Sequence, residues 1–306
     1  MGSGGFVAMA VDKFWEQIQK RSAQKIKDEG RWVCLADENW KPICDMPALI
    51  DCNARSVRLS ASDIELSMPA SSNGIPHMVV DELIAENLGI FSEQGTIEPN
   101  MSAARNIIIQ TAGSRSRQAY FISHTLASGR GDVPETIAPS GQDLIGLLDV
   151  TPCPSAPRKW GKEPMKWWEQ DAGGKYSKPR FYGAVEMADS LDGYTMNGPA
   201  VQVIKTLVQD SVDALCRQMG WDKPHIVVDW STPDESDEIF IRMSDQTVWG
   251  AIADPARISG VTVTARLWFP GDDPILVRPA YKQEPVLRSF DHPICVVCVE
   301  KSREVE

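Results

Sequence analysis

A chain of 306 residues, 42% hydrophobic and 24% charged, can bury the cores of two compact domains, or of one large domain with insertions, without disulfides or metals. It has no apolar run of the roughly 20 residues that span a bilayer, and Met1-Gly2-Ser3-Gly4-Gly5 lacks the basic and apolar regions of a signal peptide, so synthesis and folding in a reducing cytoplasm are expected. A formal charge of −11 argues against a general affinity for duplex DNA, which needs Lys and Arg to displace counterions, but suits a wall that a polyanion must pass without sticking.

The first predicted element is a helix over Val11–Glu29, with Val11, Phe14 and Ile18 at helical spacing and Gly30 as its stop. From Trp32 the period changes to two. Trp32–Ala36 and Pro42–Cys44 read as strands around an Asp37–Trp40 turn. Val57–Ala61 and Ile64–Met68 read as the arms of a hairpin turning at Ser62-Asp63, closed by Pro69. A short helix is expected at 77–88, ending at Gly89. Ile107–Ile109 and Ala119–Ser123 are strands joined by a polar turn at 113–117, Glu135–Ile137 is another, and Gly141–Leu148 leads off the sheet as a helical turn. Short strands separated by turns make residues 30–150 a small, mostly antiparallel barrel or sandwich.

Thr151–Pro157 is a Pro-rich connector. Between Arg158 and Tyr182 stand seven Lys/Arg against three Asp/Glu, interleaved with Trp160, Trp167, Trp168, Tyr176, Phe181 and Tyr182. With Gly173-Gly174 in its middle, this segment is predicted to be a long loop, and long loops in compact proteins usually have a job. Its residue types suit stacking on bases or sugars, anchoring in a protein partner's pocket, or covering the chain's own core. Gly198-Pro199 opens a helix whose apolar stripe is Val201, Ile204, Leu207, Val208, Val212 and Leu215. Asn197 or Gly198 is its expected cap, Pro199 its first residue and Gly220 its end. Strands follow at Ile226–Val228 and Ile239–Ile241, a helix at Thr247–Ile258, and strands at Val261–Phe269 and Pro293–Val299. The expected division is an N-terminal helix (1–29), a first β-domain (30–150), the connector and aromatic loop (151–194) and a second α/β domain (195–306). Overall this is an α+β, strand-rich chain of two small β-barrel or sandwich-like domains with inserted helices.

Residues with possible chemistry are scattered. Seven cysteines, an odd number without regular spacing, fit core positions better than a disulfide framework. Cys295-x-x-Cys298 falls on a Val-rich strand, which points the two thiols to opposite faces and offers neither a helix N-terminus nor a second ligand pair. His77, His124, His225 and His292 form no ligand motif. Glu82 and Glu86 lie one helical turn apart, the pattern of a solvated face. Asp229, Asp234, Glu235, Asp237 and Glu238 lack calcium-loop spacing, and Arg130-Gly131-Asp132 is a tripeptide expected by chance. No P-loop, G-x-S-x-G or G-x-G-x-x-G occurs. The expectation is a structural or assembly protein with no catalytic residue, metal or cofactor.

Two C-terminal stretches carry a family likeness. Asn197-Gly198-Pro199-Ala200-Val201-Gln202-Val203-Ile204-Lys205-Thr206-Leu207-Val208 resembles the "GPAxxVIKxxV" helix start of hub-like minor tail proteins of long-tailed phages infecting actinobacteria. Gly260-Val261-Thr262-Val263-Thr264-Ala265-Arg266-Leu267-Trp268-Phe269-Pro270-Gly271-Asp272 is similar to that family's "GxTVTARLWLPGD" strand. Trp40–Ile43, Ile64–Pro69 and Ser140–Leu144 agree in style and order. The resemblance covers most of residues 30–300, with Gly198, Pro199, Ile204, Gly260, Thr262, Trp268, Pro270 and Gly271 as its structural positions. It implies paired β-domains in a baseplate-hub ring at the end of the tail tube, a trimer in contact with tail-tube or distal-tail proteins and a fibre or central spike. DNA would pass through transiently, without a membrane span, and the virion tail tip would be its location after assembly in the host cytoplasm. The 158–182 segment departs from the family by its length and aromatic content. The chain also ends soon after its last strand, so a peptidoglycan-cleaving or receptor-binding extension is expected to be absent. A cell-wall hydrolase or a glycan-binding adhesin of the tail tip is the alternative.

Overall fold

Strand predominates over helix in the computed structural model, an α+β fold built on a curled antiparallel sheet. The structure describes residues 12–55, 57, 60–84, 89–91, 97–99, 104–114, 116–129, 134–158, 166–171, 173–182, 194–233 and 235–302. Trp160, Glu86, Asp234, Val11 and Arg130-Gly131-Asp132 lie outside them. The chain divides into two units. One is Met1–Gly146 with Ala265–Asp273 and Ser289–Pro293; the other is Leu147–Thr264 with Pro274–Arg288 and Ile294–Glu306.

In the first unit, α1 (Lys13–Glu29) is capped by Asp12, whose Oδ1 accepts the Phe14 N–H at 3.2 Å, and Gly30 closes it through a 2.9 Å bond to the Ile26 carbonyl. Its buried face is Trp15, Ile18 and Ser22; Phe14 sits at the margin, edge-on to Trp15. Ile18 is buried as expected, but Trp15 takes the inward place expected of Phe14, packing on Phe269 at 5.0 Å. Strands β1 (Arg31–Ala36) and β2 (Pro42–Asp45) form the predicted hairpin, its turn held by Asp37 Oδ1, which accepts from the Asn39 and Lys41 backbones.

The second predicted hairpin is corrected. Strand β4 (Asp63–Pro69) pairs not with Val57–Ala61 but with β3 (Asp51–Ala54), Asp51 opposite Ser67 and Asn53 opposite Glu65. Val57 is exposed and donates its N–H to Ser62 Oγ at 2.8 Å, so the chain turns there instead of extending. Two small ribbons, β5 (Ser71–Ser72) with β6 (Ile75–Pro76) and β7 (Gly89–Phe91) with β8 (Ile97–Pro99), flank α2 (Met78–Ile84). Then come β9 (Asn106–Thr111), β10 (Gln118–Ser128) and β11 (Thr136–Asp143). The sheet runs β2-β1-β9-β10-β11-β4-β3, with every pair antiparallel. Strand β11 is longer than predicted. Gly141, expected in a helical turn, lies in the sheet beside a bulge at Ile122/His124, where a Cβ would meet the Phe121 carbonyl oxygen at 2.0 Å. Ile64, Leu66, Met68, Ile107, Ile109, Tyr120 and Ile137 face one core with Val79 and Leu83 of α2.

The second unit begins with α3 (Gly146–Val150) and β12 (Pro152–Cys153). It continues through β13 (Lys166–Asp171), β14 (Gly174–Tyr182), β15 (Tyr194–Pro199), α4 (Ala200–Met219), β16 (Ile226–Val228), β17 (Glu238–Met243), β18 (Gln246–Thr247) and α5 (Val248–Ile258). The last strands are β19 (Val261–Trp268), which runs on into the first unit, β20 (Ile275–Val277), β21 (Val286–Arg288) and β22 (Ile294–Lys301). The centre is α4, packed by α5 and by β12, β15, β16, β17 and β22. Burial is not confined to the predicted stripe: Lys205, Thr206, Gln209, Asp210 and Ser211 are buried too. Its start also differs from expectation. Pro199 is the N-cap and cannot cap with its side chain, so the orphan N–H groups of Ala200 and Val201 go to the Asp237 carbonyl and to Ser236 Oγ, both at 2.9 Å. Strands β16, β22 and β19 form a sheet in which β16 and β22 are parallel. No helix among the described residues is long and apolar enough to cross a membrane.

Candidate docking surface

The segment predicted as a loop folds, in its described part, as an antiparallel hairpin of β13 and β14. The registers are Lys166 opposite Tyr182, Trp167 opposite Phe181, Trp168 opposite Arg180 and Gln170 opposite Lys175. The prediction failed because charge and aromatics hid the alternation, and a bulge between Trp168 and Gln170 breaks it. The turn is chemically specified. Asp171 Oδ1 accepts the Gly173 N–H and Asp171 Oδ2 accepts the Tyr176 hydroxyl, both at 2.8 Å. The Tyr176 bond, then that from Gly173, holds the Asp171 carboxyl below its ordinary range.

Pairing sorts the side chains. Trp167, Pro179 and Phe181 share one face, with Trp167 70% and Phe181 47% exposed and their rings 5.3 Å apart. The other face carries Lys166, Trp168, Tyr176, Lys178 and Arg180, where Lys166 lies 4.5 Å over the Trp168 ring and Arg180 4.5 Å over Tyr176. One side thus holds Trp167, Pro179 and Phe181 with Lys175 and Ser177, and the other the cations Lys166, Lys178 and Arg180 with Trp168 and Tyr176. Among the described residues no third strand pairs with it, and neither face is buried. An exposed Trp–Phe pair is the kind of surface that anchors in a partner.

The family-like positions lie elsewhere and hold structure. Gly198 and Pro199 lead into α4, where Ile204 is fully buried. The Gly260 carbonyl receives the Ser302 N–H, and the Thr262 and Ser302 hydroxyls meet at 2.7 Å. Trp268 is buried and donates Nε1–H to the Asp273 carbonyl at 2.8 Å. Beyond it Asp272 Oδ2 accepts both the Phe269 N–H (2.7 Å) and Arg117 Nη1 (2.8 Å), while the Arg117 guanidinium stacks 4.1 Å over Phe269. Gln19 Nε2 donates to the Pro270 carbonyl at 3.2 Å. Gly271 has φ +95°, and a Cβ there would meet Gln19 Nε2 at 2.7 Å, so the tight turn and the close approach both call for glycine.

The remaining chemistry stays dispersed. Ser72 Oγ and His77 Nε2 are 3.0 Å apart, a possible nucleophile–base contact, but among the described residues no carboxylate bonds the His77 ring. His124 contacts Ser123, His292 contacts Asp291 at 2.7 Å, and His225 lies edge-on to Trp221. Glu82 pairs with Arg105 at 2.7 Å, and Asp229 accepts the Ser231 N–H. Among the described residues no group of three or more His, Cys, Asp or Glu is placed to hold a metal ion. None of the seven cysteines is disulfide-bonded. Cys34, Cys153 and Cys295 are buried, and burial pushes the thiols of Cys44, Cys153 and Cys216 up to about 11, away from thiolate chemistry.

The sequence matches no protein-family model and no curated protein.

Proposed function

We propose that this chain is a structural component of a phage tail tip, a hub subunit that assembles into a ring at the end of the tail tube. The β13–β14 hairpin would be its docking element. The observation that carries the reading is the hairpin itself, a folded ribbon with Trp167 and Phe181 exposed on one face and cations on the other. The two phage-like motifs support it. Their residues lie at the entry of α4 and at the Trp268–Asp272 turn tied down by Gln19 and Arg117.

In this reading the two strand-rich units are the paired β-domains of a hub, and three chains present a pseudo-sixfold surface to a sixfold tube. The charge distribution suits passage of DNA. The four excess positive charges of 158–182 leave the rest of the chain at −15, and a wall of that sign repels rather than retains a polyanion. Replacing Trp167 and Trp168 by Ala is expected to leave the circular dichroism spectrum and melting temperature near wild type while blocking incorporation into particles. Normal incorporation would overturn the docking role. A particle reconstruction with the chain off the tube axis, or with a lumen lined by its Lys and Arg, would overturn the ring.

A further inference from the structure

The docking ribbon has a complement on the chain itself. Strand β3 ends the seven-stranded sheet: among the described residues nothing pairs with its outer edge, so its backbone groups are open to another strand. The outer face of this edge is acidic. Register places Asp51 opposite Ser67 and Asn53 opposite Glu65, and alternation along β4 sets Asp63 beside them, so Asp51, Asp63 and Glu65 stand exposed together. Arg55 follows β3 and is occupied with Asn53 Oδ1 at 3.2 Å. The inner face of the same edge is apolar, with Cys52 opposite Leu66 and Ala54 opposite Ile64.

We infer that β13 of one copy adds to the β3 edge of a second copy, continuing its sheet. This names the partner of the hairpin and rests on the reading of that hairpin as a docking element. Both faces agree with the pairing. A ribbon added in plane would set Lys166 of β13 beside Asp51 of β3, with Lys178 and Arg180 one strand further out on the same face, and Trp167 beside the apolar side that holds Cys52 and Ala54, with Phe181 one strand further out. A one-residue slip would put the Trp–Phe face on the carboxylates, so the register is specified. The strand that adds is β13 because Pro179 removes a backbone donor from β14. Each copy carries one ribbon and one edge, so the contact is head-to-tail and closes a ring when the rotation allows.

The test is sedimentation velocity of the full chain over a concentration series. Wild type is expected to associate. Lys166→Glu should raise the dissociation constant about tenfold or more, as loss of a close interfacial charge pair does. Asp51→Lys should do the same, and the two substitutions in one chain should restore association. Trp167→Ala, at a side chain 70% exposed, is the second variant and should weaken association with the fold unchanged. A wild type monomeric throughout, association indifferent to the β3 charges, or reversed charges that fail to restore it would each overturn the edge pairing. The tail-tip reading fails by a different result: hairpin variants that enter particles normally.

Discussion

Arg278 and Asp210 are both more than nine-tenths buried and meet at 3.3 Å, with the guanidinium 4.4 Å over the Trp230 ring. Arg278 lowers the Asp210 pKa, but burial raises it more, so the carboxyl stands above its ordinary range. Such a pair adds little net stability, yet removing one partner strands the other charge. Arg278→Met is therefore expected to cost about 3–5 kcal/mol, read as a lowered denaturation midpoint. Asp213, one turn along α4, is also raised by burial, against a 2.8 Å bond from Gln209 Nε2. A raised native pKa means the folded chain holds the proton longer than the unfolded one. These two carboxyls thus make stability fall as pH rises from the ordinary carboxylate range through their raised values. Asp213→Asn should raise the melting temperature at pH 7 and flatten that slope; an unchanged slope would refute the assignment. None of this was legible in the sequence, where Asp210 and Asp213 look like the polar side of an amphipathic helix. Neighbouring elements bury that side as well.

At the scale of elements, periodic segments with strong punctuation were readable and segments whose partners come from afar were not. Helix α5 follows its Thr247 cap, whose Oγ1 accepts the Gly250 N–H at 3.0 Å, and the β1–β2 and β9–β10 pairs follow their short apolar runs and the polar turns between them. The β3–β4 pairing was missed because Val57–Ala61 alternates better than Asp51–Ala54, and the choice rests on the Val57–Ser62 contact. The start of α4 makes the same point. Its first N–H groups are met by Ser236 and Asp237, more than thirty residues away, so Ser236→Ala should cost about 1 kcal/mol as loss of a cap does. Denaturation of that variant checks it; a change near zero would mean another group replaces the hydroxyl. The 158–182 segment was singled out by composition, but that it is a ribbon with two chemically different faces emerged only from the pairing of Trp167 with Phe181 and Trp168 with Arg180.

For the whole molecule, the dispersal of metal-ligating side chains among the described residues leads to an expectation that metal analysis can check. The purified chain should carry no stoichiometric zinc, and zinc that disappeared with Cys298→Ser would overturn this. Sequence alone determined the α+β, strand-rich character, the positions of most helices and the odd character of the basic, aromatic segment. These are local properties, set by hydrophobic period, turn residues and charge within short windows. Tertiary structure decided the strand order β2-β1-β9-β10-β11-β4-β3, the place of acidic β3 at its end, and the division into units that draw residues from distant parts of the chain. It also made the 265–273 stretch part of the first unit, where Arg117 and Gln19 hold the Trp268–Asp272 turn. Those facts depend on which segments meet across long separations, and the free energy of such meetings comes from burial and hydrogen bonding that no single window contains.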